Sequence, residues 1–276
     1  MESARLNAEL ILSHVLERPR LRLYLEFDRP VEESALGTAR ELVRRRGHRE
    51  PLQHLTGSAG FLDLDLQVTP AVLVPRPETE LLAQLAIARL RSDTAVLPGR
   101  LRRVLDFGTG SGCLAIALAV ALPETEIHAL DLSAGALEVA RQNATRNRAE
   151  RIQFHLGDGF GALKDLLGGE TRPFDLLVTN PPYIPTAEIA SLEPEVRDHD
   201  PRIALDGGTD GLDVYRRLSR EASAWLRADG ILLTEFGDGQ APALVELFTT
   251  AGWRPDAVEK DLSGRERVLI VRPPSS

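Results

Sequence analysis

The stretch RVLDFGTGSG, from Arg103 to Gly112, decides the fold that we expect for this chain. Its first five residues form a short apolar run typical of a buried strand, and the apolar segment Leu114–Leu122 that follows is predicted to be a helix. Glycines between a strand and a helix allow a sharp turn and let a ligand approach the backbone closely. The stretch therefore predicts a Rossmann-like α/β sheet that binds a nucleotide-containing cofactor at the carboxyl end of this strand.

The residues around the glycines distinguish between two cofactors that share this geometry. A dinucleotide loop usually follows the pattern G-x-G-x-x-G, but position 113 is Cys, so the pattern here is G-x-G-x-G. Asp106 stands before the glycines, where a carboxylate repels a pyrophosphate and suits the ammonium group of a methionine moiety. Asp131 follows the next apolar run, where an acid can hold ribose hydroxyls. These positions favour S-adenosylmethionine over a dinucleotide.

Short apolar runs alternate with helical patterns through the rest of the chain, which predicts a mostly parallel sheet with helices on both faces. The predicted strands are Arg103–Phe107, Glu126–Leu130, Ile152–Leu156, Phe174–Thr179 and Ile231–Phe236. The predicted helices are Leu114–Leu122, Ala134–Arg146, Leu212–Leu226 and Ala241–Ala251. A C-terminal antiparallel hairpin is expected from Trp253–Glu259 and Arg267–Val271.

The N-terminal part has a different pattern. Apolar residues at helical spacing predict a helix that Pro19 ends, and a second helix is expected over Glu32–Arg46. Alternating apolar and polar residues predict a strand over Phe61–Val68, in a hairpin linker, and Pro77 is expected to open the next helix. We therefore expect two domains: a helical domain with the linker over residues 1–72, and the α/β domain over residues 73–276.

A second motif, Asn180-Pro181-Pro182-Tyr183, follows the predicted strand Phe174–Thr179. Ligands of open parallel sheets bind beyond the carboxyl ends of the strands, so this motif is expected beside the cofactor. The Asn180 side-chain carbonyl and the Pro181 backbone carbonyl can each accept one N–H of an amide or amino group, and the Tyr183 ring can pack on its planar face. Such placement would aim the nitrogen lone pair at a methyl donor, which predicts N-methylation.

Composition excludes several other classes of protein. The net charge of −8 and the pI of about 5.4 argue against tight, nonspecific nucleic-acid binding. The single cysteine, Cys113, fits a reducing compartment, and no Cys and His spacing suggests a metal site. No signal peptide or membrane-spanning run is present, so a cytoplasmic protein, expected to be a monomer, is predicted. The basic run Arg44–Arg49 is interpreted as a solvated helix end.

From Pro51 to Arg272 the sequence resembles the release factor glutamine methyltransferases of the PrmC/HemK type. Besides the two motifs above, the resemblance rests on PLQHLTG at 51–57, LVPRPETE at 73–80, Glu193-Pro194, ALDGGTDGL at 204–212, and Glu235-Phe236-Gly237 before Gln240. It implies methyl transfer from S-adenosylmethionine to the glutamine of the Gly-Gly-Gln loop of peptide chain release factors. It also implies that the small helical domain helps to grip the release factor.

The resemblance also assigns roles to residues. The expected cofactor contacts are Gly108, Thr109, Gly110, Ser111, Gly112, Asp131 and Asn180, with Asp158 and Gly159 as further candidates. Asn180, Pro181, Pro182 and Tyr183 would hold the glutamine. Asp158 suits the adenine amino group, although a loop aspartate that caps a helix from Phe160 explains it equally well. Some relatives have Trp where this chain has Gly159, so an aromatic contact to adenine is missing here unless Phe160 replaces it.

Three other functions are compatible with parts of the sequence. A nucleic-acid methyltransferase that acts on an exocyclic amino group would use the same Asn-Pro-Pro-Tyr chemistry on a flipped base, but the acidic charge and the lack of an obvious recognition domain count against it. A dinucleotide-dependent oxidoreductase leaves that motif without a role. A non-catalytic interaction module would not need both motifs intact.

Overall fold

The computed structural model describes residues 3–92, 101–163 and 174–274. Its helices are α1 (Ala4–Val15), α2 (Arg20–Leu25), α3 (Glu33–Gly47), α4 (Leu52–Thr56), α5 (Pro77–Ser92), α6 (Cys113–Ala121), α7 (Ala134–Arg146), α8 (Pro194–Arg197), α9 (Asp213–Glu221) and α10 (Ala241–Thr250). Its strands are β1 (Ser58–Phe61), β2 (Leu64–Gln67), β3 (Arg102–Phe107), β4 (Thr125–Asp131), β5 (Gln153–Leu156), β6 (Phe174–Thr179), β7 (Leu226–Glu235), β8 (Arg254–Lys260) and β9 (Glu266–Arg272). Within these residues, no helix is long and apolar enough to cross a membrane.

A seven-stranded sheet forms the centre of the molecule, in the order β5-β4-β3-β6-β7-β9-β8. The first five strands pair in parallel, and β9 pairs antiparallel with both β7 and β8. The chain runs from β3 to β4 on one side and returns to β6 on the other, so the sheet has its topological switch point beside β3, where ligands of such sheets bind. This architecture confirms the predicted Rossmann-like fold with its C-terminal antiparallel hairpin.

Helices cover both faces of the sheet because its central strands are apolar on both sides. Leu82 of α5 and Leu118 of α6 are fully buried in one core. Tyr215 of α9 and Phe248 of α10 are fully buried in the other. The two layers hold the strand ends rigidly, so the loops that follow the strands can position a site.

Some predicted elements differ from the structure in their bounds. The predicted strand Phe61–Val68 is confirmed only over β2, because the chain turns at Leu62 and Asp63 between β1 and β2; the alternation of apolar and polar residues continues through the turn and conceals it. Leu62 has a φ of 51°, and its N–H donates to the Glu80 carboxylate at 2.8 Å. The predicted helix Leu212–Leu226 ends early, since Leu226 already pairs with Phe174 as the first residue of β7. The short helices α2 and α4 were not predicted.

The N-terminal helices form a small core of their own, which includes Ile11 of α1 and Leu42 of α3. The β1–β2 hairpin, by contrast, packs on the sheet domain: Phe61 and Leu66 are fully buried in the core that contains α5 and α6. The hairpin is thus part of the sheet domain in packing terms, although it was expected as a linker.

Ion pairs join the helical region to α8. The Nη1 atom of Arg46 lies 2.9 Å from Glu195 Oε1, and Arg49 Nε lies 2.7 Å from Glu195 Oε2. Arg49 also pairs with Glu193, and Arg45 pairs with Glu50. The basic run that was interpreted as a solvated helix end is therefore largely neutralised by carboxylates, and part of it is an internal contact.

Candidate active site

The glycine loop after β3 uses its glycines for two different purposes. Gly108, Gly110 and Gly112 all have positive φ angles, of 74°, 55° and 83°, which residues other than glycine rarely adopt. A Cβ at Gly112 would come within 3.1 Å of Ala140 Cβ and of Ile116 Cδ1, so this glycine lets α6 pack on α7. A Cβ at Gly108 or Gly110 would meet no protein atom within 4 Å, so these two keep the backbone bare on the open side of the loop.

Asp106 holds the glycine loop from below. Its Oδ2 atom accepts hydrogen bonds from Thr109 Oγ1 at 2.6 Å and from the Ala115 N–H at 3.1 Å. The carboxyl group is fully buried, which raises the pKa of Asp106 to about 7, and its Oδ1 atom has no partner among the described residues. Asp106 does not line the cavity described below, so its part in the site is to hold the loop through the bond from Thr109.

Asp131 stands at the end of β4, opposite the glycine loop. Its Oδ2 atom accepts the Gly110 N–H at 2.8 Å, and its Oδ1 atom accepts the Ser133 N–H at 2.8 Å. Both bonds fix the plane of the carboxylate. Each oxygen keeps a further lone pair, so the group can accept two more hydrogen bonds from a ligand.

One cavity lies beyond the carboxyl ends of β3, β4 and β6. Most of the residues that the sequence predicted for the site line it, namely Gly108, Thr109, Gly110, Ser111, Asp131, Asp158, Gly159, Asn180, Pro181 and Pro182. Gly112 and Tyr183 do not line this cavity, because Gly112 is needed for helix packing and the Tyr183 ring packs beside Gly237. The structure thus places both motifs on one cavity at the switch point of the sheet.

Arg217 of α9 fills the space next to Gly159. A Cβ on Gly159 would overlap the Arg217 guanidinium, which also pairs with the Asp158 carboxylate and donates to the Asp158 carbonyl oxygen at 2.9 Å. Phe160 does not take the place of the missing aromatic residue: it is 2% exposed and packs in the core against the rings of Phe107 and Trp225. The planar group on this side of the cavity is therefore the guanidinium of Arg217.

The Asn-Pro-Pro-Tyr motif is held in place by its neighbours in space. Gln240 Nε2 donates to the Tyr183 carbonyl oxygen at 3.0 Å, and the Gly237 N–H donates to Gln240 Oε1 at 2.8 Å. A Cβ at Gly207 would come within 2.8 Å of the Pro182 carbonyl oxygen. The close approach explains why the ALDGGTDGL stretch needs glycine there.

The 184–212 segment, named for its residues, forms a wall of the cavity. Hydrogen bonds from Ile184 to Leu205 and from Gly207 to Ile184, of 3.0 and 2.9 Å, tie both ends of the segment together next to the motif. Its middle carries α8, and Asp200 pairs with Arg76 at 2.5 Å. Pro201, Ile203 and Ala204 line the cavity.

A buried hydrogen-bond chain leads away from Asn180. The Nδ2 atom of Asn180 donates to Thr79 Oγ1 at 3.0 Å, and Thr79 Oγ1 donates to Glu235 Oε2 at 2.7 Å. Thr79 is 3% exposed and Glu235 is 1% exposed. No described residue donates to Asn180 Oδ1, which leaves this oxygen for a ligand in the cavity.

No pattern in the sequence marks Thr79, Glu235 or Arg217 as a site residue. Thr79 and Glu235 stand within quoted stretches, 73–80 and 235–237, but neither stretch shows that the two side chains meet. Arg217 is one of several arginines on a helix, and nothing in its spacing marks it. These residues become visible only when the order of the strands is known.

The donor set of the cavity suits an organic cofactor with ribose and amino groups. Asp131 provides a fixed carboxylate, and Gly108 and Gly110 provide bare backbone, as the nucleoside of S-adenosylmethionine requires. The Oδ1 atom of Asp106 is buried beneath the loop without a hydrogen-bond partner among the described residues. In the described part of the chain, no group of three or more His, Cys, Asp or Glu residues could hold a metal ion.

Comparisons with known proteins point to one family. The family described as PrmC N-terminal domain matches residues 1–57, and the family described as Methyltransferase small domain matches residues 84–192. Release factor glutamine methyltransferase of Geobacter sulfurreducens is 42% identical over 269 residues, which are 98% of this chain and 89% of that protein. The Deinococcus radiodurans protein of the same name is 43% identical over 270 residues, 98% of this chain and 91% of that protein.

A solved structure supports the fold alone. The crystal structure of a methyltransferase from Pyrococcus furiosus has a TM-score of 0.52 and 18% sequence identity with this chain. The alignment covers 77% of this chain and 90% of that one.

Proposed function

Because this chain belongs to the family of release factor glutamine methyltransferases, we propose that it transfers a methyl group from S-adenosylmethionine to the side-chain amide nitrogen of the glutamine in the Gly-Gly-Gln loop of peptide chain release factors. The observation that carries the proposal is that Asn180 and Asp131 line one cavity, and that no donor from the described residues reaches Asn180 Oδ1. One side of the cavity suits a nucleoside and the other side suits an amide.

The cofactor side depends on Asp131 and the glycine loop. Bound there, S-adenosylmethionine would supply a methyl group that its sulfonium centre activates. The Asp131 carboxylate would accept the ribose hydroxyls with the lone pairs that Gly110 and Ser133 leave free. Asp158, Gly159 and Arg217 would form the adenine end, where the guanidinium offers a flat surface for stacking.

The acceptor side depends on two carbonyl groups. An amide nitrogen is a weak nucleophile because its lone pair is delocalised into its carbonyl group. Asn180 Oδ1 and the Pro181 carbonyl oxygen would each accept one N–H, and in the described chain no hydrogen bond occupies either oxygen. Held in this way, the nitrogen presents its lone pair to the methyl group, and it loses one proton to solvent once the new bond has formed. Placement of this kind can lower a barrier by about 7–11 kcal/mol without a strong base. Tyr183 would support the motif from behind, beside Gly237.

The partner would be a release factor, gripped in part by the helical region. We propose that the functional division of the chain is residues 1–72 and 73–276, with the hairpin packed on the second part. The ion pairs of Arg46 and Arg49 with Glu195 neutralise part of the basic run Arg44–Arg49, and the net charge of −8 also argues against nucleic-acid binding. We expect a monomer that acts in the cytoplasm, where release factors work.

The test is mass spectrometry of a release factor incubated with this protein and S-adenosylmethionine. We expect the Gly-Gly-Gln peptide to gain the mass of one methyl substitution, and a release factor with that glutamine replaced by alanine to gain none. Methylation of DNA or RNA oligonucleotides, with none of the release factor, would refute the proposal and support the nucleic-acid alternative.

A further inference from the structure

The hydrogen-bond chain behind Asn180 joins three parts of the fold. Asn180 follows β6, Thr79 lies in the first turn of α5, and Glu235 is the last residue of β7. The 2.7 Å bond between Thr79 and Glu235 is buried, whereas the 3.0 Å bond joins the partly buried Asn180 to Thr79 at the edge of the cavity. A chain of hydrogen bonds has a direction, from donor to acceptor, because the single proton of a hydroxyl group can be donated to only one acceptor at a time.

The direction of the chain follows from the chemistry of its last member. An ionised Glu235 carboxylate has no proton, so it can only accept, and the Thr79 hydroxyl must spend its single proton on it. Thr79 Oγ1 can then only accept a bond from Asn180. The amide of Asn180 must therefore turn its NH₂ group toward Thr79 and its oxygen toward the cavity. This orientation follows from the hydrogen-bond network and does not depend on which amide atom is labelled O and which N.

We propose that Thr79 and Glu235 are positioning residues that fix the orientation of the Asn180 amide, so that its oxygen and not its NH₂ group faces the glutamine to be methylated. The inference rests on the proposed function, because it gives Asn180 Oδ1 the acceptor amide as its partner. An Asn180 amide turned the other way would place two N–H donors against the N–H groups of the glutamine, and the acceptor would not bind in the reactive position.

The surroundings of Glu235 allow its ionisation to change near neutral pH. Burial raises the pKa of Glu235 to about 7, while the bond from Thr79 lowers it. Several titratable or charged groups on neighbouring elements face Glu235. They are Arg76 just before α5, Glu78 in its first turn, Cys113 of α6, Tyr183, Tyr215 of α9 and Arg267 of β9. Once protonated, Glu235 can donate to Thr79, and the hydroxyl proton of Thr79 is then free to bond Asn180 Oδ1, which reverses the chain.

The first experiment compares three variants of the full-length protein on a release factor. Thr79→Val keeps the shape of the side chain and removes the hydroxyl, whereas Thr79→Ser keeps the hydroxyl. Thr234→Val is the matched control, because within the described part of the chain the buried Thr234 hydroxyl donates to nothing but the backbone carbonyl of Glu235, at 3.1 Å. For each protein, kcat, the KM for release factor, the Kd for S-adenosylmethionine and the melting temperature are measured.

We expect Thr79→Val to lower kcat by about 10–100-fold, the range found when residues that orient metal ligands are removed, with the Kd for S-adenosylmethionine unchanged. Thr79→Ser and Thr234→Val should turn over like the wild type. Wild-type turnover in Thr79→Val, or an equal loss in Thr79→Ser, would overturn the positioning role. A wild-type protein that does not methylate release factor would instead refute the proposed function, and the inference would fall with it.

The second experiment measures kcat against pH for the wild type and for Glu235→Gln. Since the ionised carboxylate sets the direction of the chain, wild-type kcat should rise with pH through about 7 and then level off. Glu235→Gln cannot titrate, so its kcat should be lower than that of the wild type at high pH and constant across this range. If the rise near pH 7 persists in Glu235→Gln, another group causes it, such as Asp106, whose pKa is also about 7, and Glu235 has no such role.

Discussion

We expect replacement of Asn180 to impair catalysis far more than folding. Asn180→Ala removes the oxygen that would accept the glutamine N–H and the NH₂ group that donates to Thr79. Asn180→Asp keeps the size but places a second carboxylate beside Thr79, whose single hydroxyl proton is already donated to Glu235. One of the two carboxylates would then lack a donor, so we expect Asn180→Asp to be no more active than Asn180→Ala and less stable.

The structure sets the size of each effect. Loss of one preorganised contact to the reacting group typically lowers turnover by about 10²–10³-fold, or about 2.7–4 kcal/mol. The lost bond to Thr79 is a single neutral hydrogen bond, worth about 0.5–1.5 kcal/mol of stability. For a protein of this size, each kcal/mol lost lowers the melting temperature by roughly 2–4 °C. Cofactor affinity should fall much less than turnover, because Asp131 and the glycine loop stay intact.

The assay measures single-turnover methylation of release factor, the Kd for S-adenosylmethionine by calorimetry and the melting temperature in one preparation of each variant. We expect a large loss of turnover, a small loss of affinity and a folded protein. Turnover within a few-fold of the wild type in Asn180→Ala would refute the mechanism, and an equal loss of affinity and turnover would show that Asn180 serves the cofactor instead.

Three further predictions concern other parts of the molecule. Asp131→Ala should raise the Kd for S-adenosylmethionine about 10–100-fold, since charge-assisted bonds to ribose are worth about 1.5–3 kcal/mol each; an unchanged Kd in calorimetry would show that Asp131 does not contact the cofactor. Arg217→Ala should weaken cofactor binding more than Arg220→Ala, an exposed control on the same helix, and equal affinities would remove the stacking role of the guanidinium. Arg46→Met should lower the free energy of unfolding by about 1–3 kcal/mol, because it leaves the half-buried Glu195 carboxylate with one ion pair fewer; denaturation in urea that matches the wild type would contradict this.

Much of the sheet could be predicted from the sequence because its strands are short, continuous apolar runs bounded by glycines and acids. The strand Phe174–Thr179 and the helix Ala134–Arg146 have the predicted bounds. The placement of both motifs on one cavity also follows, since the carboxyl ends of neighbouring parallel strands meet at one edge. The turn at Leu62 could not be predicted, because its side chains keep the alternation of a strand.

The second layer of the site could not be predicted, for a different reason. Thr79 and Glu235 are 156 positions apart, and their contact depends on which strands are neighbours in the finished sheet. Arg217 reaches Gly159 from the first turns of α9, and the missing side chain at Gly159 is what makes room for it. Local patterns specify elements and loops, whereas these contacts depend on tertiary packing.

The 184–212 segment contacts two parts of the molecule at once. Its α8 carries Glu195, which holds Arg46 and Arg49 of the helical region, and its Pro201 and Ile203 form part of the cavity wall. A release factor that moved the helical region would therefore pull on the wall around the cofactor. Any such coupling has to be reciprocal: if bound release factor tightens cofactor binding by some factor, bound cofactor tightens release factor binding by the same factor.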